Sequence, residues 1–139
     1  MATTATTLGQ IIPLRTVRDA RGALTFFEPK QDLPFEVRRV YYIHAVPPGA
    51  ARGGHAHKAL ERLIVAMHGS IRITLDDGTR RQTLTLDRPD AGLLLGPRLW
   101  IELEEFAHEA VCCVFASAEY DENDYIRDYA AFGAWVHRG

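Results

Sequence analysis

His55 and His57 stand one residue apart in the run Arg52-Gly-Gly-His-Ala-His-Lys58. Side chains two apart on an extended strand share a face, so this spacing sets two imidazoles side by side. Imidazole takes and gives a proton near neutral pH. The pair suits proton transfer on one small molecule or, with further donors, a divalent transition metal. Gly53 and Gly54 before it let a backbone or a ligand come close. Arg39 and Tyr41 are related by the same two-residue step, so both can line one cavity. Tyr41 could equally be core packing.

The spacing beyond the pair adds information. Gly49, His55, His57, Glu61 and Gly69 resemble the first motif of the cupins, with one extra residue before the last glycine. A complete cupin metal site also takes a histidine from a second motif. Counting from Pro97, that histidine position holds Glu102 and the motif's glycine position holds Leu99. His108 lies too far along to fill the place. The metal set is incomplete, which frees His55 and His57 for acid–base work.

The elements that must position these residues read as short strands. Val37–Ile43, Leu60–Met67, Ala91–Pro97 and Ala110–Ser117 are rich in β-branched and apolar residues. Residues 70–75 alternate with period two, Asp76-Asp77-Gly78 is a turn, and residues 82–86 complete a hairpin. Further turn signals fall at 19–22, 47–49, 52–54 and 88–90. Many short strands with frequent turns predict an all-β sandwich or barrel. Tyr125, Tyr129 and Phe132 have helical spacing, which predicts a short C-terminal helix over 124–135, its aromatics packed on the sheet and Asp121–Asp124 offering N-caps. Residues 1–8 read as a flexible tail and 9–139 as the one domain. The 139 residues, 47% hydrophobic and 24% charged, can bury a core of their own. With 16 basic against 18 acidic residues the chain lacks the excess of a nucleic-acid binder. No apolar run approaches a membrane span. Adjacent Cys112 and Cys113 read as buried small hydrophobes; with no disulfide framework and no signal peptide, a cytoplasmic location is expected. His44 and His68 read as strand-end or surface residues.

Arg38-Arg-Val-Tyr-Tyr-Ile43, the Arg52–Lys58 run, Leu75-Asp-Asp-Gly78 and above all Tyr120-Asp-Glu-Asn-Asp-Tyr-Ile-Arg127 resemble the nucleotide-sugar 3,4-ketoisomerases. The likeness runs from about Asp19 to Phe132. It implies a single-domain cupin, or jelly-roll β-barrel, forming a homodimer with the N-terminal strand exchanged or packed across. It implies no metal and no organic cofactor. The reaction implied moves a ketone of a dTDP-linked 4-keto-6-deoxy sugar from C4 to C3 through an enediol, for deoxyamino-sugar biosynthesis. His57 would shuttle the proton between C3 and C4, and His55 would protonate or hydrogen-bond the oxygens, with Tyr41 beside them. Arg39, Arg52, Lys58 and Arg72 are candidates for the substrate's anionic end, since guanidinium forks suit phosphate oxygens. Arg72 could instead sit on a solvated face. Arg21 belongs to a loop that the resemblance places near the site, and is otherwise a turn residue. Trp100 would wall the sugar pocket or fill the barrel mouth. Where some relatives carry a site-facing histidine, this chain has Ile101.

Two other readings compete. One is a metal-dependent cupin enzyme using His55, His57 and Glu61. The other is a sugar-nucleotide-binding cupin without catalysis. A 3,5-epimerase shares the architecture and the 4-keto substrate but resembles the chain less in motif.

Overall fold

The computed structural model describes residues 8–138. Two five-stranded antiparallel sheets face one another, as the jelly-roll reading expects. The first is built from β1 (Gln10–Pro13), β9 (Ala91–Leu95), β6 (Arg62–His68), β11 (Val111–Ala116) and β4 (Arg39–Ile43), in that spatial order. The second holds β12 (Tyr125–Ile126), β5 (Arg52–His57), β10 (Trp100–Glu104), β7 (Ile71–Asp76) and β8 (Arg81–Leu86). A separate hairpin pairs β2 (Arg15–Asp19) with β3 (Gly22–Phe26), and a single helical turn, α1 (Pro29–Asp32), follows it.

Period-two alternation explains the core. On β7 the inward Ile71, Ile73 and Leu75 are fully buried, and they meet Leu93, Leu95, Ile101, Leu103 and Cys112 between the sheets. β6 is buried on both faces, so it reads as a continuous apolar run rather than an alternating one. Ile64 and Ala66 face the interior, whereas Leu63 and Val65 pack outward under Leu14 and Leu33 of the N-terminal segment. The outer face of the second sheet is covered by α2 (Tyr129–Arg138), whose Phe132 is fully buried on Ala56, Trp100 and Ile126.

The expected strands and the Asp76–Gly78 hairpin turn lie close to the observed ones, while β10 carried no turn or alternation signal of its own. The expected tail lies outside the described residues except for Leu8, which is buried at the core's edge. The C-terminal helix is displaced from 124–135. Asp128 accepts the Ala131 N–H at its side chain and the Phe132 N–H at its carbonyl, so the first turn forms there. Tyr125 and Ile126 are drawn instead onto the free edge of β5, opposite His57 and Ala56. Cross-strand hydrogen bonding overrides helical spacing here.

One irregularity aims the histidines. The β5–β10 register slips between Ile101 and Glu102, which pair with His55 and Gly53. Gly53 has φ +82°, and a Cβ there would lie 2.9 Å from the Ile101 carbonyl oxygen. Only glycine fits both the conformation and the space. Gly53→Ala should lower stability by about 1–3 kcal/mol, read as a lower thermal midpoint by calorimetry.

Candidate active site

Interior side chains are set in cross-strand rows at one end of the sheets. Arg39, Ala116 and Arg62 form one row and Tyr41, Val114 and Ile64 the next, on β4, β11 and β6. Across from them β5 brings His55 and His57. Between them lies a cavity of about 670 Å³ lined by Arg39, Tyr41, His55, Arg62, Tyr125 and Arg127 among others. That is the size of a small-molecule site. Four of its lining residues are arginine (Arg39, Arg52, Arg62, Arg127), and no carboxylate lines it among the described residues. It is therefore a site for an anion.

The shared-face spacing brings the histidine rings to 5.1 Å between centroids, edge to face. They occupy different depths. His55 lines the cavity. His57 is 1% exposed and lies behind it, its Nδ1 2.9 Å from Asp124 Oδ2. Asp124 is itself held, since Oδ1 accepts the Ala59 N–H and its carbonyl accepts the Lys58 N–H. A carboxylate at Nδ1 places the proton there and leaves Nε2 as the basic nitrogen. His57 Nε2 is buried with no hydrogen-bond partner. Tyr125 packs on both rings, with centroids 5.1 Å from His55 and 4.3 Å from His57.

The electrostatics keep both imidazoles neutral. Burial, then the Arg62 charge, push His55 down to about 4. The same two causes, with His55 and Arg39 next, lower His57 further. Burial raises the Tyr41 phenol, which stays protonated and able to donate. At the rim Arg127 forks onto Glu122 with contacts of 2.8 and 2.8 Å, lies 4.2 Å over the Tyr125 ring, and holds Glu122 down to about 2.

Among the expected site residues, His55, Tyr41, Arg39 and Arg52 line the cavity, with His57 directly behind. Arg39 stacks over the Tyr41 ring at 5.3 Å. Four expected residues do not line it. Arg72 points outward from an alternating strand and pairs with Glu105. Trp100 is buried under α2 and donates its indole N–H to Glu102. Lys58 is exposed beyond the end of β5. Arg21 sits at the tip of the β2–β3 hairpin, paired with Asp19 at 2.7 Å. Glu61 lines a separate depression with Leu8 and Pro34, so the ligand set of the metal reading does not converge; no group of three metal-ligating side chains occurs among the described residues. Ile101 does face the cavity. His44, expected at a strand end, also lines it.

Sequence reasoning missed Asp124, Tyr125, Arg62 and Arg127. Their sequence context marks Asp124 as a helix cap and Tyr125 as a packing aromatic. The signal for Arg62 was available: an arginine at an inward position of an apolar strand.

Comparison with known proteins agrees with this geometry. The family model "FdtA: WxcM-like, C-terminal" matches residues 8–137. The TDP-4-oxo-6-deoxy-alpha-D-glucose-3,4-oxoisomerase of Aneurinibacillus thermoaerophilus is 42% identical over 127 residues, 91% of this chain and 91% of that protein. The crystal structure of QdtA, a sugar 3,4-ketoisomerase from Thermoanaerobacterium thermosaccharolyticum in complex with TDP, superposes with a TM-score of 0.92 at 36% identity over 95% of this chain and 96% of the other. The WlaRB TDP-quinovose 3,4-ketoisomerase of Campylobacter jejuni gives 0.87 at 42% identity, over 93% and 99%.

The depressed histidines make a direct prediction for the free protein. In an NMR titration His55 should titrate near 4 rather than at the ordinary 6.5, and His57 below it. The unfolded chain binds these protons first. Stability present above pH 6.5 should therefore drain away as pH falls toward 4, seen as a falling thermal midpoint.

Proposed function

The chain belongs to the FdtA, WxcM-like C-terminal family, and from that premise we propose that it is a nucleotide-sugar 3,4-ketoisomerase acting on dTDP-4-keto-6-deoxyglucose. The observation that carries this reading is a neutral histidine pair, one member braced by Asp124, beside a cavity with four arginines. The arginines suit the diphosphate, and the imidazoles suit the sugar.

The C3 proton is acidic because it lies beside the C4 carbonyl. With Nδ1 bound to Asp124, His57 takes that proton at Nε2 and later returns it at C4. His55, at the cavity wall, hydrogen-bonds and protonates the sugar oxygens, and Tyr41 donates from the opposite sheet. Hydrogen is redistributed within one molecule, so the reading assigns no organic cofactor and no metal. The product is a 3-keto sugar, a substrate for amination toward a deoxyamino sugar.

A homodimer fits this reading. β4 is an edge strand whose outward Val40 and Tyr42 are 54% and 63% exposed, an unpaired apolar edge that favours association. A cytoplasmic location goes with it, since both cysteines are free and buried; no described helix is long and apolar enough to cross a membrane.

Chelator-treated protein incubated with the 4-keto sugar nucleotide in deuterated water should yield a 3-keto sugar by proton NMR, with deuterium entering at the migrating position. Binding of TDP without turnover would instead support a non-catalytic binder. His57→Asn should lose at least about 10²-fold in kcat with little change in TDP binding; near-normal activity would sink the proton-shuttle assignment. Val40→Asp should shift the mass in light scattering from two chains toward one.

A further inference from the structure

Arg39 and Arg62 both line the cavity with an Nε that is buried and unpartnered, and of the two Arg62 is the one closed off from solvent. It is 2% exposed, and its Nε and one Nη are buried without a hydrogen bond. No carboxylate pairs with it among the described residues. It stands at an inward position of β6, one step along from Ile64, in the same row as Arg39. Arginine does not shed its proton at such a site, so the charge remains. A buried, unpaired cation is costly, and this one presents a preformed donor fork to an anion that arrives during function.

We propose that Arg62 is a catalytic residue of the ketoisomerase: its free guanidinium N–H groups bind the sugar oxygen that becomes anionic when the C3 proton leaves. The inference rests on the ketoisomerase reading. When His57 removes the C3 proton, the electrons of the C3–H bond form the C3–C4 double bond. The π electrons of the C4 carbonyl move onto its oxygen. That oxygen, neutral in the substrate and anionic in the enediolate, is the partner Arg62 lacks. The proton then passes between the two oxygens, carbon C4 regains a proton from the imidazole, and the C3 carbonyl forms with no net change in atoms or electrons. A donor fixed in place before the charge develops needs no reorganisation, which is how such groups lower a barrier. The position also separates Arg62 from a diphosphate ligand's needs, because Arg52 and Arg127 are exposed on the same cavity while Arg62 is not.

The test compares wild type with Arg62→Met, Arg62→Gln and Arg62→Lys, using the sugar nucleotide for turnover and TDP alone for binding. For Arg62→Met and Arg62→Gln, kcat should fall by at least about 10²-fold, the loss typical of one oxyanion donor. Deuterium entry from solvent should slow in parallel, TDP affinity should hold, and the thermal midpoint should stay level or rise as the lone buried charge is removed. Arg62→Lys, which keeps the charge but not the fork, should recover part of kcat. Unchanged kcat in folded Arg62→Gln would overturn the proposal, as would weakened TDP binding with kcat intact, which would mark a phosphate contact. If Arg62→Met does not fold, the Gln and Lys variants decide. Wild type that does not turn over would overturn the ketoisomerase reading and this inference together; wild-type turnover matched by the variants would overturn this inference alone.

Discussion

Burial of two imidazoles beside a buried guanidinium is the constraint around which the rest of the site is arranged. An imidazole in water is half protonated near pH 6.5 and a poor base below it. In this barrel, desolvation and the Arg62 charge act in the same direction on both rings and keep them neutral. Neutrality alone would leave the tautomer open. Asp124 closes that question for His57 by engaging Nδ1. One feature of the site sets the charge state and another sets the tautomer: Arg62 stands on β6 of the first sheet and Asp124 in the turn leading into β12.

The scaffold accounts for how such a costly set of groups is held. The inner face of the two sheets is apolar over most of its length, and that apolar packing stabilises the end that carries Arg39, Arg62 and the histidines. The segment from Tyr120 to Arg127 contributes one short turn and one short strand, yet it supplies Asp124 to His57, Tyr125 to both rings and Arg127 to the rim. Its pairing with the edge of β5 is what turns a strand with two histidines into a braced site. The bulge at Gly53 does the complementary job from the other side of β5, by shifting the register opposite Ile101.

Much of this was legible in the residues. Apolar and β-branched runs marked four strands, alternation and a turn marked the β7–β8 hairpin, the His55–His57 spacing marked the shared face, and the same step joined Arg39 to Tyr41. What failed, failed for physical reasons. Alternation on β7 made Arg72 either a surface or a ligand-facing residue, and Glu105, just past the end of β10, decided it. The family resemblance set Trp100 at the pocket wall or the barrel mouth, but α2 covers that face of the sheet. Tyr125 has helical spacing to Tyr129, but a free strand edge competes for its backbone. Asp124 acts across 67 residues of chain, a separation that no local pattern reports.

The four arginines exert two opposed effects. Their field draws an anionic ligand into the cavity, and the charges of Arg62, Arg39 and Arg127 lower the basicity of the imidazoles that must act on it. On the ketoisomerase reading the conflict resolves on binding. The diphosphate brings negative charge to the cavity's arginines and screens part of the Arg39 and Arg127 field at the histidines. Arg62, deeper and out of reach of solvent, is screened least. Its charge is left for the bond rearrangement itself, at the moment the sugar oxygen acquires its own. The catalytic base is thus weakest when the cavity is empty and stronger when substrate fills it. A neutral sugar of the same shape would leave the base as weak as in the free protein, so the charge of the nucleotide contributes to selectivity in the chemical step as well as in binding.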